Sequence, residues 1–284
     1  SARLAKEGVV NERFALVVCD AQPDALNALP CEARAPLLDA LEACVGTARR
    51  AGWLVAFSGL RFPAGYGGVS SRHRLYGGFQ RLNAKVGDDR AHWFMEGWPG
   101  AEIEQRLAPC PEDAVVWRQR HSPSEELLQV LREKSVTKVA VVGLRAAYAV
   151  QATCQALCDE GMMVYVIREC IQDDTPECLT AVVDMLLPIY AEVISWEELL
   201  EGLGMQEEAA ACRTRAFATA ARGEQLVFHC TDCKRGGHGT RFCQYLLERP
   251  NWRAHPAEKW YQDEYWREFL CPEGRRVVDF ADEP

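Results

Sequence analysis

Two sets of residues in this chain carry chemistry in their types and spacing. The first lies between His229 and Cys243, in HCTDCKRGGHGTRFC, where Cys230, Cys233, His238 and Cys243 follow the pattern C-x2-C-x4-H-x4-C. Thiolate and imidazole are the donors a tetrahedral zinc ion prefers, and a two-residue gap lets both thiolates of a tight turn face one ion. Gly236 and Gly237 supply the backbone freedom that brings His238 back to that ion. Cys271 or His229 can stand in for one ligand; the alternative is that all of these are unliganded residues of a structured tail.

The second set stands at the ends of apolar runs. Asp20 follows FALVVC, Arg61 follows VAFSGL, Arg118 closes VVWR, and Gly143 ends VAVVG. These runs are short, β-branched and continuously apolar, the pattern of strands buried on both faces. They predict strands over 14–19, 53–57, 115–118, 138–142, 163–167 and 191–194. Helical spacing predicts helices over 35–50, 124–133, 147–160 and 176–187. Alternation of this kind, closed by right-handed crossovers, gives an α/β fold: a doubly wound parallel sheet flanked by helices. Ligands in such sheets sit beyond the carboxyl ends of the strands, which gathers Asp20, Arg61, Arg118 and Gly143 around one expected pocket. The stretch 59–78, GLRFPAGYGGVSSRHRLYGG, reads as a long loop, and loops of that length usually serve binding.

Composition narrows the classes. With 48% hydrophobic and 26% charged residues in 284, the chain has the make-up of about two folded domains rather than of a disordered protein. Its apolar runs fall short of the roughly 18 uncharged residues a membrane span needs. A net charge of −9 argues against general affinity for nucleic acid, so any such contact is local. The 13 cysteines are odd in number, and the nine from Cys19 to Cys212 fall at positions that mostly read as strand or helix interior, which predicts free thiols in a reducing intracellular compartment, the cytoplasm or an organelle matrix such as that of mitochondria. The first residue, Ser1, is expected to follow removal of an initiator Met or of a targeting peptide.

The expected organisation is an α/β domain over 1–202, a helical connector over 203–223, and a small Cys/His-rich extension over 224–284. Trp252, Trp260, Tyr261, Tyr265, Trp266 and Phe269 make that extension dense in the aromatic residues that anchor protein interfaces. A segment so short gains from a metal or a partner in folding.

The blocks ALVVCDAQPDAL, VVWRQRHSPS and VAVVGLRAAYAVQATCQALCDEGMMVYVI resemble the three core blocks of the isochorismatase-like cysteine hydrolases, over about residues 13–200. GLRFPAGYGGVSSRHRLYG resembles a loop of one branch of that superfamily. The resemblance implies a parallel sheet with flanking helices, frequent oligomerisation, and hydrolysis of small amides or isochorismate-like compounds by a Cys nucleophile, an Asp proton acceptor and a Lys. Asp20 matches the Asp. Arg118 stands at the Lys position and presents a wider, planar cation. The nucleophile position, six residues beyond Gly143, is Ala149. Cys154 lies five residues further, about 500° around a helix, and is expected to point away; with Cys158 it is read as lining the buried face of that helix.

Arg145 replaces a small residue and is expected to project toward the pocket mouth, with Leu144 beside it. The resemblance also implies a cis peptide between Leu144 and Arg145, for which a chain without the chemistry has no need. Asp20 is read chiefly as an ion-pair partner of Arg118, since no His or second carboxylate in the matched blocks completes an acid/base pair with it. A metal of the nicotinamidase type is not expected, because SGLRFPAGY lacks an Asp and His constellation.

The spacing of Cys230, Cys233, His238 and Cys243 resembles a zinc knuckle. Thr231 and Lys234 stand where such knuckles carry an aromatic residue and a glycine, which argues against stacking on single-stranded RNA. Lys234, Arg235 and Arg241 against Asp232 suit a weak phosphate contact only. The expected function is therefore a catalytically inactive isochorismatase-like protein serving as a structural or interaction subunit of a larger complex, with zinc in its extension. The alternatives are a small-molecule hydrolase with a non-cysteine mechanism and a weak RNA binder through 229–243.

Overall fold

The computed structural model describes residues 13–29 and 31–212. The extension, with Cys230, Cys233, His238, Cys243, His229 and Cys271, lies outside the described residues, as does most of the expected connector. Six parallel strands form one sheet in the order β3-β2-β1-β4-β5-β6. They are β1 (Arg13–Cys19), β2 (Leu54–Leu60), β3 (Ala114–Arg118), β4 (Val136–Leu144), β5 (Met163–Gln172) and β6 (Glu192–Ile194). The helices are α1 (Pro23–Leu26), α2 (Cys31–Arg50), α3 (Tyr76–Val86), α4 (Glu125–Glu133), α5 (Gln151–Asp159), α6 (Pro176–Ala181), α7 (Trp196–Gly202) and α8 (Gln206–Cys212).

Continuous burial along β1 follows from the two layers it separates. Phe14, Leu16 and Val18 pack with Leu37, Leu41 and Val45 of α2 and with Trp196 and Leu199 of α7. Ala15, Val17 and Cys19 face the other way, onto Leu127 and Leu131 of α4 and Val150, Cys154 and Leu157 around α5. Each fully buried aliphatic side chain of this kind contributes about 1.5–3 kcal/mol, so the central strands supply much of the stability. Local signals set the helix starts: the Ser124 hydroxyl caps α4 by accepting from the Leu127 N–H at 3.3 Å, and Ser195 and Glu198 form a capping box on α7.

Three expectations are corrected. The run 59–78 does not stay a loop to its end, because Tyr76 opens α3, whose Phe79 and Leu82 are buried in the core. The helix expected over 176–187 breaks into α6, a π-helical turn (Val182–Leu186) and a 3-10 turn (Leu187–Ile189), with Pro188 ending regular hydrogen bonding. Cys158 is exposed rather than on the buried face that Cys154 occupies. In the stretch assigned to the connector, α8 still packs on α7, with Ala209 in the main core. Among the described residues no helix is long and apolar enough to cross a membrane.

Candidate functional site

The parallel register aligns the carboxyl ends of the central strands: Cys19 lies opposite Ser58 of β2 and Gly143 of β4, and Leu60 lies opposite Arg118 of β3. At this edge the chain leaves β1 sharply. Asp20 has φ +47°, a left-handed conformation that Asp tolerates better than most residues, and its N–H donates to the Ser58 carbonyl at 3.0 Å. Gly143 has φ +110°, and a Cβ built there would lie 2.1 Å from the Cys19 carbonyl oxygen. Only glycine permits β4 to press against β1 at this point.

The last residue of β3 reaches across the end of β2 to the first residue beyond β1. Arg118 Nη2 donates to Asp20 Oδ1 at 2.6 Å, and Arg118 Nη1 donates to the Arg120 carbonyl at 2.6 Å. Both side chains are buried, at 1% and 9% exposure, so the ion pair expected from the sequence is present and largely desolvated. Burial works against the Arg118 charge, but Asp20 above all sustains it, and the net shift is upward.

The thiols beside this pair are held neutral. Burial pushes Cys19 up to about 12, with Arg118 opposing and Asp20 adding to the shift. Cys154 is raised well above the ordinary value by burial, with the neighbouring Cys19 contributing. A thiolate is the nucleophile, so neither side chain is poised for attack near neutral pH. Ala149, the position matched to the nucleophile, is buried in a π-helical turn (Ala146–Val150) ahead of α5.

The start of that turn is fixed to the end of β5. The Leu144–Arg145 peptide is cis, the isomer the resemblance implies. Arg145 does not project to a pocket mouth; it is 3% exposed, its Nη2 donates to the Ala25 carbonyl at 3.1 Å, and its Nε lies 2.6 Å from Asp174 Oδ1. Asp173 Oδ2 accepts from the Ala147 N–H at 2.6 Å and its Oδ1 from the Asp174 N–H at 2.7 Å. Burial, then the neighbouring Asp174, raises the Asp173 pKa. Leu144 is fully buried beside Arg145.

Sequence reasoning missed a second group that the loops bring to this edge. The Tyr76 hydroxyl lies 3.1 Å from His121 Nδ1, and the Tyr76 N–H donates to His73 Nδ1 at 3.0 Å. The His73 ring stacks on Tyr76 with centroids 4.6 Å apart, and His121 lies 5.4 Å from Tyr148. Tyr76 is close enough to influence the Arg118 charge. Both histidines lie in the blocks that carry the resemblance, and the partners seen here are Tyr76 and Tyr148. The signal available was the sequence SSRHRLY itself, whose His and Tyr are three residues apart and so share one side of the turn that opens α3.

Arg61 and Arg118 line a cavity of about 530 Å³, together with Trp117, Arg120, Glu96 and Ser124. The cavity lies at the β3 edge and takes in two of the four residues expected around one pocket, Arg61 and Arg118, but not Asp20 or Gly143. Arg61 lies over the Trp117 ring at 3.5 Å and donates to Glu102 at 2.7 Å. After β2, Arg61, Phe62 and Pro63 offer no metal donor, and Phe62 is packed against Tyr66 and Tyr76. Among the described residues no group of three His, Cys, Asp or Glu is placed to hold a metal ion, so a zinc centre does not fit these side chains.

A doubly wound parallel domain with its distinctive residues at the carboxyl ends of β1, β3 and β4 defines the class. The isochorismatase domain model matches residues 14–198, and the chain belongs to the isochorismatase family. An isochorismatase family protein from Desulfovibrio vulgaris has a similar structure at 21% identity, TM-score 0.59, over 68% of this chain and 100% of that one. An N-carbamoylsarcosine amidase from Thermoplasma acidophilum is similar at 20% identity, TM-score 0.51, over 64% and 96%. A pyrazinamidase of Pyrococcus horikoshii in complex with zinc is similar at 18% identity, TM-score 0.50, over 65% and 99%. At these identities the likeness concerns the fold. No curated protein matches the chain.

Proposed function

We propose that this chain is a non-catalytic member of its family, serving as a structural or interaction subunit of a larger protein assembly. The observation that carries the reading is the closed Asp20–Arg118 pair at 2.6 Å. The Asp20 carboxylate is engaged by a buried guanidinium, which favours a structural role for it. Ala149 offers no nucleophile beside it, and the Cys19 and Cys154 thiols stay protonated. The fold is retained while the chemistry is not.

Zinc bound by Cys230, Cys233, His238 and Cys243, and docking through the aromatic residues beyond position 250, belong to the same reading and rest on the sequence. Contact between residues 229–243 and RNA is a lesser role for the same segment. Cys19, Cys110, Cys154, Cys158 and Cys178 are free thiols, which supports a reducing intracellular compartment, the cytoplasm or a mitochondrial or other organelle matrix.

A second reading has one observation in its favour. The Tyr76, His121 and Tyr148 cluster beside Arg118 supplies hydroxyl and imidazole groups able to move a proton in a small-amide hydrolase without a cysteine. The experiment that separates the two is native mass and metal content of the protein isolated from its source, with hydrolysis of nicotinamide and isochorismate assayed on the same sample. A hetero-assembly with about one zinc per chain and no turnover supports the subunit reading. Turnover that disappears in Asp20→Ala overturns it in favour of the hydrolase.

A further inference from the structure

The cavity at the β3 edge has a chemical character that the closed Asp20–Arg118 pair does not account for. Three guanidinium groups, Arg61, Arg118 and Arg120, line it against a single carboxylate, Glu96. The matched positions Asp20 and Ala149 are not among its lining residues, and neither are Gly143, Leu144 and Arg145. It is therefore a separate space that shares only Arg118 with the ion pair.

Its cations are arranged rather than merely exposed. Arg118 is held in place by Asp20 and the Arg120 carbonyl, yet its buried Nε has no hydrogen-bond partner among the described residues. Arg61 is fixed over Trp117 and tied to Glu102, and its Nε is likewise buried without a partner. An N–H buried without an acceptor carries a desolvation penalty, which an anion nearby offsets, and three arginines against one glutamate give the lining of this cavity a net positive charge. Guanidinium forks match phosphate and carboxylate oxygens in geometry as well as charge. A volume of about 530 Å³ suits a small molecule.

We propose that this cavity binds a small metabolite bearing a phosphate or clustered carboxylates, whose oxyanion is received by Arg61 and Arg120, with the buried Arg118 adding positive charge. Glu96 at the rim selects against an anion at the far end of the ligand and favours a hydroxyl or amine there. The proposal is independent of whether the chain hydrolyses anything, because it needs no nucleophile.

Calorimetric titration of the full chain tests it, with pyrophosphate and citrate as separate probes at low salt. At least one of them binds, and the enthalpy profile shows which oxyanion source is preferred. Arg120→Ala and Arg61→Ala each weaken that binding about tenfold, the scale of one charge-assisted contact. Glu96→Gln strengthens it severalfold, a gain that a folding defect cannot imitate. Failure of both probes to bind at millimolar concentration overturns the site, as does binding that none of the three substitutions changes. Loss of catalytic activity or of assembly, by contrast, leaves this result unmoved.

Discussion

Arg118 and Asp20, separated by 98 residues in sequence and by a strand in the sheet, meet at 2.6 Å with both side chains buried. Their pairing turns two groups at the carboxyl edge of the sheet into a structural clamp between β3 and β1. Removing one partner strands the other charge in a desolvated place. Arg118→Ala is expected to destabilise the domain by about 3–5 kcal/mol, while Asp20→Asn combined with Arg118→Met costs distinctly less. Urea unfolding of the two variants decides it; equal losses would show that the pair contributes through packing alone.

The Cys19 thiol gives a pH dependence with a defined sign. Its pKa in the fold, about 12, lies above the ordinary value, so the unfolded chain releases this proton first as pH rises. The contribution is fully present below about pH 9 and is lost as pH climbs toward about 12. Cys19→Ala therefore loses less stability than the unaltered chain between roughly pH 8 and roughly pH 10.5, measured by urea unfolding at both values.

Thiol alkylation separates the same residues kinetically. Cys158 is exposed and labels quickly with iodoacetamide at neutral pH, whereas Cys19 and Cys154 label only as fast as the domain opens. Peptide mass mapping after a short pulse reads the difference. Fast modification of Cys154 without unfolding would mean that a reactive thiolate exists beside Ala149.

Gly143→Ala is expected to be among the most damaging small substitutions in the domain, at about 3 kcal/mol or more. The added methyl meets the Cys19 carbonyl, and the φ of +110° is closed to alanine. A thermal melt close to that of the unaltered chain would show that β1 and β4 separate easily at this end.

Asp173→Ala removes the acceptor of the Ala147 and Asp174 N–H groups and is expected to cost about 1–2 kcal/mol. Asp173→Asn, which keeps an acceptor, recovers part of that loss. Hydrogen exchange at Ala147 reports the local effect directly.

The sheet was legible because its strands are continuous apolar runs bounded by Asp20, Arg118 and Gly143, and periodicity responds to burial on both faces. The Asp20–Arg118 pair was legible because strand ends converge in a parallel sheet. Arg145 was misplaced for a physical reason: a long cation on an isolated strand end looks solvent-bound, and its acceptors, Ala25 and Asp174, come from segments distant in sequence. The Tyr76, His73 and His121 cluster depends on how the 59–78 run folds over β3, which no local pattern encodes. The start of α3 was hidden because two glycines follow Tyr76, a composition that reads as a turn.

The strand order bears on how the chain is made. β1 is completed early in synthesis, but one of its two neighbours, β4, begins at Val136, 123 residues after Arg13 emerges. Until then the apolar edge from Ala15 to Cys19 has α2 and β2 to cover it on one side and an open row of peptide groups on the other. Such an edge is a template for intermolecular pairing, so the nascent chain passes through a window in which aggregation competes with folding. Arrival of Val139–Gly143 closes that window and sets the sheet in a single register against Cys19.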